Sequence, residues 1–321
     1  MRIKYFISVI LIFSIFISCD DSFSPKAPYD ERYSLNCIIR GDTSFQVATT
    51  YKNYDVSYID PYENKEDSFI DGAFIRMWRG NDEISIFKDT TMERTDQSRF
   101  KTDIKYYYIN GFVPTAGDSL EIEALLPNGR RLRSNTKVPK EVKRNEIYSD
   151  MVLTRSLVNH LRTSWEIKNQ NLVYLPKLVL CYYEKVNGVN IWKEKIIPWK
   201  KLKIDNETKY IYPSPSGDYL IDYDVNIIKE AMEDISKNDS EKGKYTIIYL
   251  WLELSIFDEN LSTYFFTVGL EDNSLAIGLD EGDYSNIENG FGIFGSYFTQ
   301  RFKISVTKGY VNSFGYILYE E

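Results

Sequence analysis

The chain has 321 residues, 43% of them apolar, and a net charge of −8. That length accommodates one large domain or two of ordinary size, and that apolar fraction excludes global disorder. The acidic balance argues against general binding to phosphate backbones, so no nucleic-acid partner is expected. The main basic cluster, NGRRLRS from Asn128 to Ser134, reads as a solvated strand and turn.

The opening segment, MRIKYFISVILIFSIFISCDD, places Arg2 and Lys4 before an uncharged run from Tyr5 to Ser18. That run is shorter than the roughly 20 residues a spanning helix needs. A basic start followed by a short apolar core is the pattern of a secretory signal peptide. Phe16-Ile17-Ser18-Cys19 resembles the lipobox of bacterial lipoproteins, with Phe16 where that family usually has Leu. The resemblance implies cleavage before Cys19 and lipidation of its thiol and new amino group. Residues 1–18 are thus expected to be a signal peptide and 19–32 a polar, proline-containing tether. Acyl chains contribute about 0.8 kcal/mol per buried CH₂, and two or more give stable anchoring. Asp20 and Asp21 resemble the acidic signal that sends such lipoproteins to the cell surface.

Beyond the leader, Tyr33 to Pro139 reads as strand after strand. YSLNCIIR alternates, FQVATTYKNY follows a GDTS turn, and Asp71-Gly72 feeds FIRMWRG. DEISIFKD reads as one alternating strand, and KYYYINGF and DSLEIEALL come next. Asn128-Gly129 carries a two-residue hairpin signal joining DSLEIEALLP to RRLRSNTKVP. Short strands at this spacing predict a β-sandwich over 33–139.

The charged stretch PKEVKRNE marks a domain boundary, with a second β-rich domain expected over 140–321. YLPKLVLCYYEKV and NIWKEKIIPW form a hairpin around Asn187-Gly188. DYDVNIIKEAMEDISKN changes to helical period, with Asp222 or Asp224 as cap. KYTIIYLWLELSIFD predicts a buried central strand. ENLSTYFFTVGLE predicts a second short helix capped by Asp258. Gly290, Gly292 and Gly295 follow a G-x-G-x-x-G order, but YFTQRFKISV after them reads as a strand, whereas a dinucleotide loop must open a helix. These glycines are expected to let the backbone pass close to a neighbour. The overall expectation is a mainly β chain with one or two short helices.

Little in the sequence points to a reaction. There are three cysteines and one histidine. Cys19 is assigned to lipid, and Cys37 and Cys181 sit in apolar contexts that suit buried free thiols. The absence of HExxH, CxxC or any Cys/His cluster leaves no expected metal, and no cofactor is expected. A Ser-His-Asp triad would require His160, which lies in SLVNHLRTSWEI without a GxSxG. Glu121 and Glu123 share one strand face and are the pair a glycosidase would need, although such a face is ordinarily solvent-facing. Asp280, Glu281 and Asp283 form an acidic loop without EF-hand spacing.

The chain resembles the DUF4249 family of Bacteroidota-type lipoproteins. The lipobox start with YSLNCIIRGD, FIDGAFIRMW with GDSLEIEALLPNGRRLRSNTKVP, and YSNIENGFGIFGSY (Tyr284 to Tyr297) carry the resemblance. It implies an Ig-like or transthyretin-like N-terminal sandwich, an outer-membrane location, and the company of TonB-dependent channels. It implies no catalytic residues. The expected function is a non-catalytic binding or accessory module anchored by its lipid and surface-exposed, with such a channel as its candidate partner. A carboxylate-based hydrolase and an envelope scaffold are the alternatives. Tyrosine, at 26 residues, suits both half-buried strands and binding surfaces. The candidate contact aromatics are Trp192, Trp199, Tyr284, Phe291 and Phe294, together with Trp78.

Overall fold

A computed structural model describes residues 29–53, 64–65, 67–81, 83–157, 159–167, 171–204, 207–237, 239–268 and 284–320. Cys19, the tether up to 28, and the acidic loop at 280–283 lie outside the described residues. Strands make up 51% of the structure and helices 12%. No helix among the described residues is long and apolar enough to cross a membrane.

The first half holds β1 (Tyr33–Arg40), β2 (Phe45–Lys52), β3 (Phe74–Arg79), β4 (Glu83–Ile86), β5 (Lys88–Met92), β6 (Ile104–Asn110), β7 (Ser119–Leu125) and β8 (Arg131–Lys137). One sheet runs β4-β3-β7-β8, and β1-β2-β6-β5 faces it as part of a larger sheet. Alternation directs Leu35, Cys37 and Ile39 of β1 onto Ile75 and Met77 of β3 and Leu120 and Ile122 of β7, in one apolar core.

DEISIFKD is two strands rather than one. β4 pairs with β3 in one sheet and β5 with β6 in the other, and buried Phe87 is the corner between them. The β7–β8 loop also differs from expectation. Leu126 N–H donates to Arg130 O, so Pro127, Asn128 and Gly129 form the turn, with φ positive only at Gly129 among them. A three-residue loop closing on a left-handed glycine is the result. The second hairpin matches its sequence: Asn187 and Gly188 both have positive φ between paired Val186 and Val189.

The second half holds β9 (Val152–Leu153), β10 (His160–Ser164), β11 (Tyr174–Val186), β12 (Val189–Ile197), β13 (Lys200–Ile204), β14 (Glu207–Ile211), β15 (Leu220–Asp224), β16 (Tyr245–Phe257), β17 (Phe294–Val306) and β18 (Ile317–Leu318). Its helices are α1 (Val225–Asp234), α2 (Glu259–Val268) and α3 (Lys308–Asn312). The expectation of one or two helices falls short by α3, a single short turn held by the burial of Tyr310 and Val311. Asp224 caps α1 by accepting from Asn226 N–H at 2.8 Å, and Asp258 accepts from Leu261 N–H at 2.7 Å at the start of α2.

The large sheet runs β12-β11-β16-β17-β1-β2-β6-β5, so β16 is central as its apolar run predicts. β17 links the halves. Its first residues, Phe294 to Tyr297, pair in parallel with β1, and Tyr297 to Ile304 pair antiparallel with β16. The boundary at 139/140 divides two cores: Val138 belongs to the first and Val142 to the second. It does not divide the sheet, and Ile287 and Phe294 return from the C-terminal part to complete the sandwich core. The second core lies between the inner face of β11, β16 and β17 and the layer of β10, β15, α1 and α3.

Gly290, Gly292 and Gly295 act by close approach, as their context suggests. A Cβ on Gly292 would meet Leu35 O at 2.3 Å, and one on Gly290 would meet Tyr33 O at 2.6 Å. β17 begins at Phe294 and includes Gly295, so a strand and not a helix opens here.

Candidate binding surface

Strand alternation leaves the large sheet with an outer face beyond the second core. The even residues of β11, Leu178 and Leu180, point into that core, so Val179, Cys181 and Tyr183 point away. Register then places Trp192 opposite Tyr183 and Glu194 opposite Cys181 on β12. Tyr249 lies opposite Cys181 and Trp251 opposite Val179 on β16. Lys303 stands opposite Trp251 and Arg301 opposite Glu253 on β17.

The aromatic rings on this face touch in sequence. Tyr183 and Trp192 lie 5.5 Å apart at 77°, Trp192 and Tyr249 6.4 Å apart at 61°, and Tyr249 and Trp251 4.6 Å apart at 63°. Tyr319 extends the row, 6.2 Å from Tyr183. Trp192 is 40% exposed and Tyr319 47%, so the rings present area to solvent while shielding Val179 and Cys181 beneath them, which are buried. Burial pushes the Cys181 thiol up to about 12. Both Cys37 and Cys181 are free and buried, as their contexts predict.

Charged groups border the rings. Arg301 reaches Glu253 at 2.8 Å and Glu194 at 3.3 Å, and Trp192 Nε1–H donates to Glu194 Oε1 at 3.3 Å. Lys303 Nζ lies 5.1 Å from the Tyr249 ring centroid, a cation–π distance.

Of the aromatics singled out in the sequence, only Trp192 lies on this row. Trp199 is half-buried against the second core, its Nε1–H donating to Asp222 O at 3.0 Å with Lys200 Nζ 3.6 Å above the ring. It lines a cavity of about 430 Å³ with His160 and Asp222, and Asp222 is held by a bidentate pair with Arg162. Tyr284 packs on a small third core, its hydroxyl donating to Asn260 Oδ1 at 3.1 Å. Phe291 is 45% exposed beneath Arg32. Phe294 is fully buried in the sandwich core, where the glycine-rich approach to β1 carries it; it offers no contact surface. Trp78 sits below Arg76, 4.9 Å from ring to guanidinium. Tyr183, Tyr249 and Trp251 escaped notice in the sequence. The signal was there in YLW at 249–251 and YY at 182–183, whose odd members share one parity within the strands.

Two buried carboxylates, Glu123 and Asp258, are committed to ion pairs and to capping. Glu123 is 2% exposed and bound by Arg76 and Arg133. Burial raises its carboxyl, and the two guanidinium groups outweigh this and hold it below the usual range. A cleft of about 740 Å³ between the halves is lined by Glu121, Asn135, Thr136, Tyr174 and Asp258. Asp258 serves there as a helix cap. Among the described residues no group of three or more His, Cys, Asp and Glu side chains is placed to hold a metal.

No protein-family model matches the chain, and no curated protein matches it.

Proposed function

We propose that this chain is a non-catalytic binding module, tethered by lipid at Cys19, that works by contact through the aromatic row of its outer sheet face. The row carries this reading: Trp192, Tyr183, Tyr249 and Trp251 are held side by side by strand register, with exposed ring area and a charged border. Large rigid rings supply contact area at low entropic cost, which is why they concentrate at binding surfaces. The engagement of Glu123 in ion pairs supports contact over carboxylate chemistry, because a carboxylate held ionised by arginines is a poor proton donor.

The lipobox-like start and the family resemblance support anchoring at an outer membrane, facing outward, in the company of a TonB-dependent channel. Cross-linking in intact cells, followed by purification of the tagged chain and mass spectrometry, tests this. The expected result is near-equal recovery of a channel protein, and a lipid-modified Cys19 at the N-terminus. Bait recovered alone removes the channel from the reading. An unmodified, uncleaved N-terminus removes the anchor.

A further inference from the structure

We infer that the cleft between the halves binds a short peptide with free ends. None of the rings of the aromatic row line this cleft, so the inference stands apart from the reading of that row. Its volume of about 740 Å³ lies within the range of roughly 300–1,000 Å³ that small-molecule sites occupy. Leu120 and Val138 of the sandwich core line one side, and Val142, Leu172 and Tyr174 of the second core line the other. These residues give a ligand side chain apolar walls.

The polar groups of the cleft divide into those already engaged and those left over. Asp258 accepts from Thr136, Leu261 and both donors of Ser296, and Glu259 has a partner of its own. Glu121, Lys137 and Lys140 line the cleft without an ion pair among the described residues. Arg133 lies within electrostatic reach of Glu121 but is bonded to Glu123. The Tyr174 hydroxyl is buried and, among the described residues, lacks a hydrogen-bond partner. An unpaired buried hydroxyl destabilises a fold, and an acceptor brought in by a ligand relieves that.

Charge and spacing select the ligand. A simple anion entering the cleft meets Glu121, Asp258 and Glu259, and a simple cation meets Lys137 and Lys140. A zwitterion turns each end to its opposite, the ammonium to Glu121 and the carboxylate to the two lysines. Register pairs Glu121 with Asn135 and Ser119 with Lys137. Glu121 and Lys137 are thus diagonal neighbours on one sheet face, with Cβ atoms about 7–8 Å apart. Consecutive Cα atoms of a peptide are about 3.8 Å apart, so this spacing suits the ends of two or three residues and is too wide for one amino acid. Asn135, beside both, carries a side-chain amide with the donor and acceptor that a peptide bond needs. The Tyr174 O–H is left to donate to a ligand carbonyl.

The test is isothermal titration calorimetry of the purified full chain with the tripeptides Ala-Ala-Ala, Ala-Leu-Ala and Ala-Phe-Ala. Each is used with free ends, N-acetylated, and C-amidated. The expected result is binding of at least one free-ended peptide, weakened about tenfold by blocking either end. Glu121→Gln is expected to weaken it about tenfold and to make it indifferent to N-acetylation. Tyr174→Phe is expected to weaken it about fivefold, and Lys209→Ala on β14 to retain it. Glu121→Gln and Tyr174→Phe remove only groups without a bonded partner, so both variants are expected to fold, which thermal melts check. No binding of any free-ended tripeptide overturns the inference. Equal binding of free and blocked peptides overturns it too, as does binding unchanged in both Glu121→Gln and Tyr174→Phe.

Discussion

Thr136 Oγ1 donates a hydrogen bond to Asp258 Oδ2, fastening β8 of the sandwich to the start of α2 in the second half. The same carboxylate accepts from the backbone N–H groups of Leu261 at 2.7 Å and Ser296 at 2.6 Å, and from Ser296 Oγ at 2.9 Å. One buried side chain thus ties together β8, α2 and β17. Asp258→Ala leaves two buried N–H groups unpaired and is expected to cost about 2–4 kcal/mol in urea unfolding. Thr136→Val removes one donor and is expected to cost about 1 kcal/mol.

Asp258 also gives stability a pH dependence. Burial pushes its carboxyl from 3.8 to about 6, against the pull of the four donors. The folded chain therefore holds this proton more tightly than the unfolded chain. The resulting stabilisation is fully present below 3.8 and is lost as pH rises through about 6. Urea midpoints measured across this window are expected to fall with rising pH by a component on the order of 2–3 kcal/mol, and Asp258→Asn is expected to lack it. An equal slope in the variant would assign the effect to other groups.

Gly292 is the tightest of the backbone contacts that seat β17 beside β1. Its φ is +107°, and an added Cβ would lie 2.3 Å from Leu35 O. Gly292→Ala combines strain with a backbone clash and is expected to cost about 3 kcal/mol or more. Gly309 in α3 has nothing within 4 Å of such a Cβ. Gly309→Ala is expected to be neutral or stabilising by about 0.5–1 kcal/mol. Thermal melts of the two variants separate close approach from general glycine loss.

What the sequence made legible was local. β1 and the β11–β12 hairpin follow from alternation and Asn187-Gly188, α1 from period and cap, and α2 from its cap at Asp258. What it hid was long-range. The turn at Phe87 that moves the chain between sheets leaves the alternation of DEISIFKD undisturbed. The pairing of Cys37 with Phe294 joins segments far apart in sequence, and only that pairing decides that Phe294 is core and not surface. The aromatic row is hidden for the same reason. Trp192, Tyr183 and Tyr249 become neighbours only when β12, β11 and β16 take their register, and the bulge between Cys181 and Tyr182 sets which residues of β16 oppose them.

Glu123 and Glu121 share a strand face but not a role. Glu123 lies between Arg76 on β3 and Arg133 on β8 in one cross-strand row. Glu123→Gln leaves those arginines without their shared counter-ion and is expected to cost about 3 kcal/mol in urea unfolding. Glu121→Gln removes a carboxylate facing the edge of the cleft and is expected to change stability by under about 0.5 kcal/mol. Equal costs would show that the arginines do not discriminate between the two carboxylates.

Cys181 reports on the aromatic row from below. It lies on the outer face of the sheet, yet it is fully buried, because Tyr249 and Glu194 flank it on the neighbouring strands. Cys37 is buried independently, in the sandwich core. Both thiols have raised pKa values through burial, so neither is expected to react with a thiol reagent in the folded chain. In urea both are expected to react. Tyr249→Ala opens the cover over Cys181 alone and is expected to speed its labelling about tenfold or more, with Cys37 unchanged. Site-resolved mass spectrometry reads the two rates separately. A parallel rise at both sites would mean that the variant loosens the whole sheet; a rise at Cys181 alone would place Tyr249 as its lid and the row as a fixed surface.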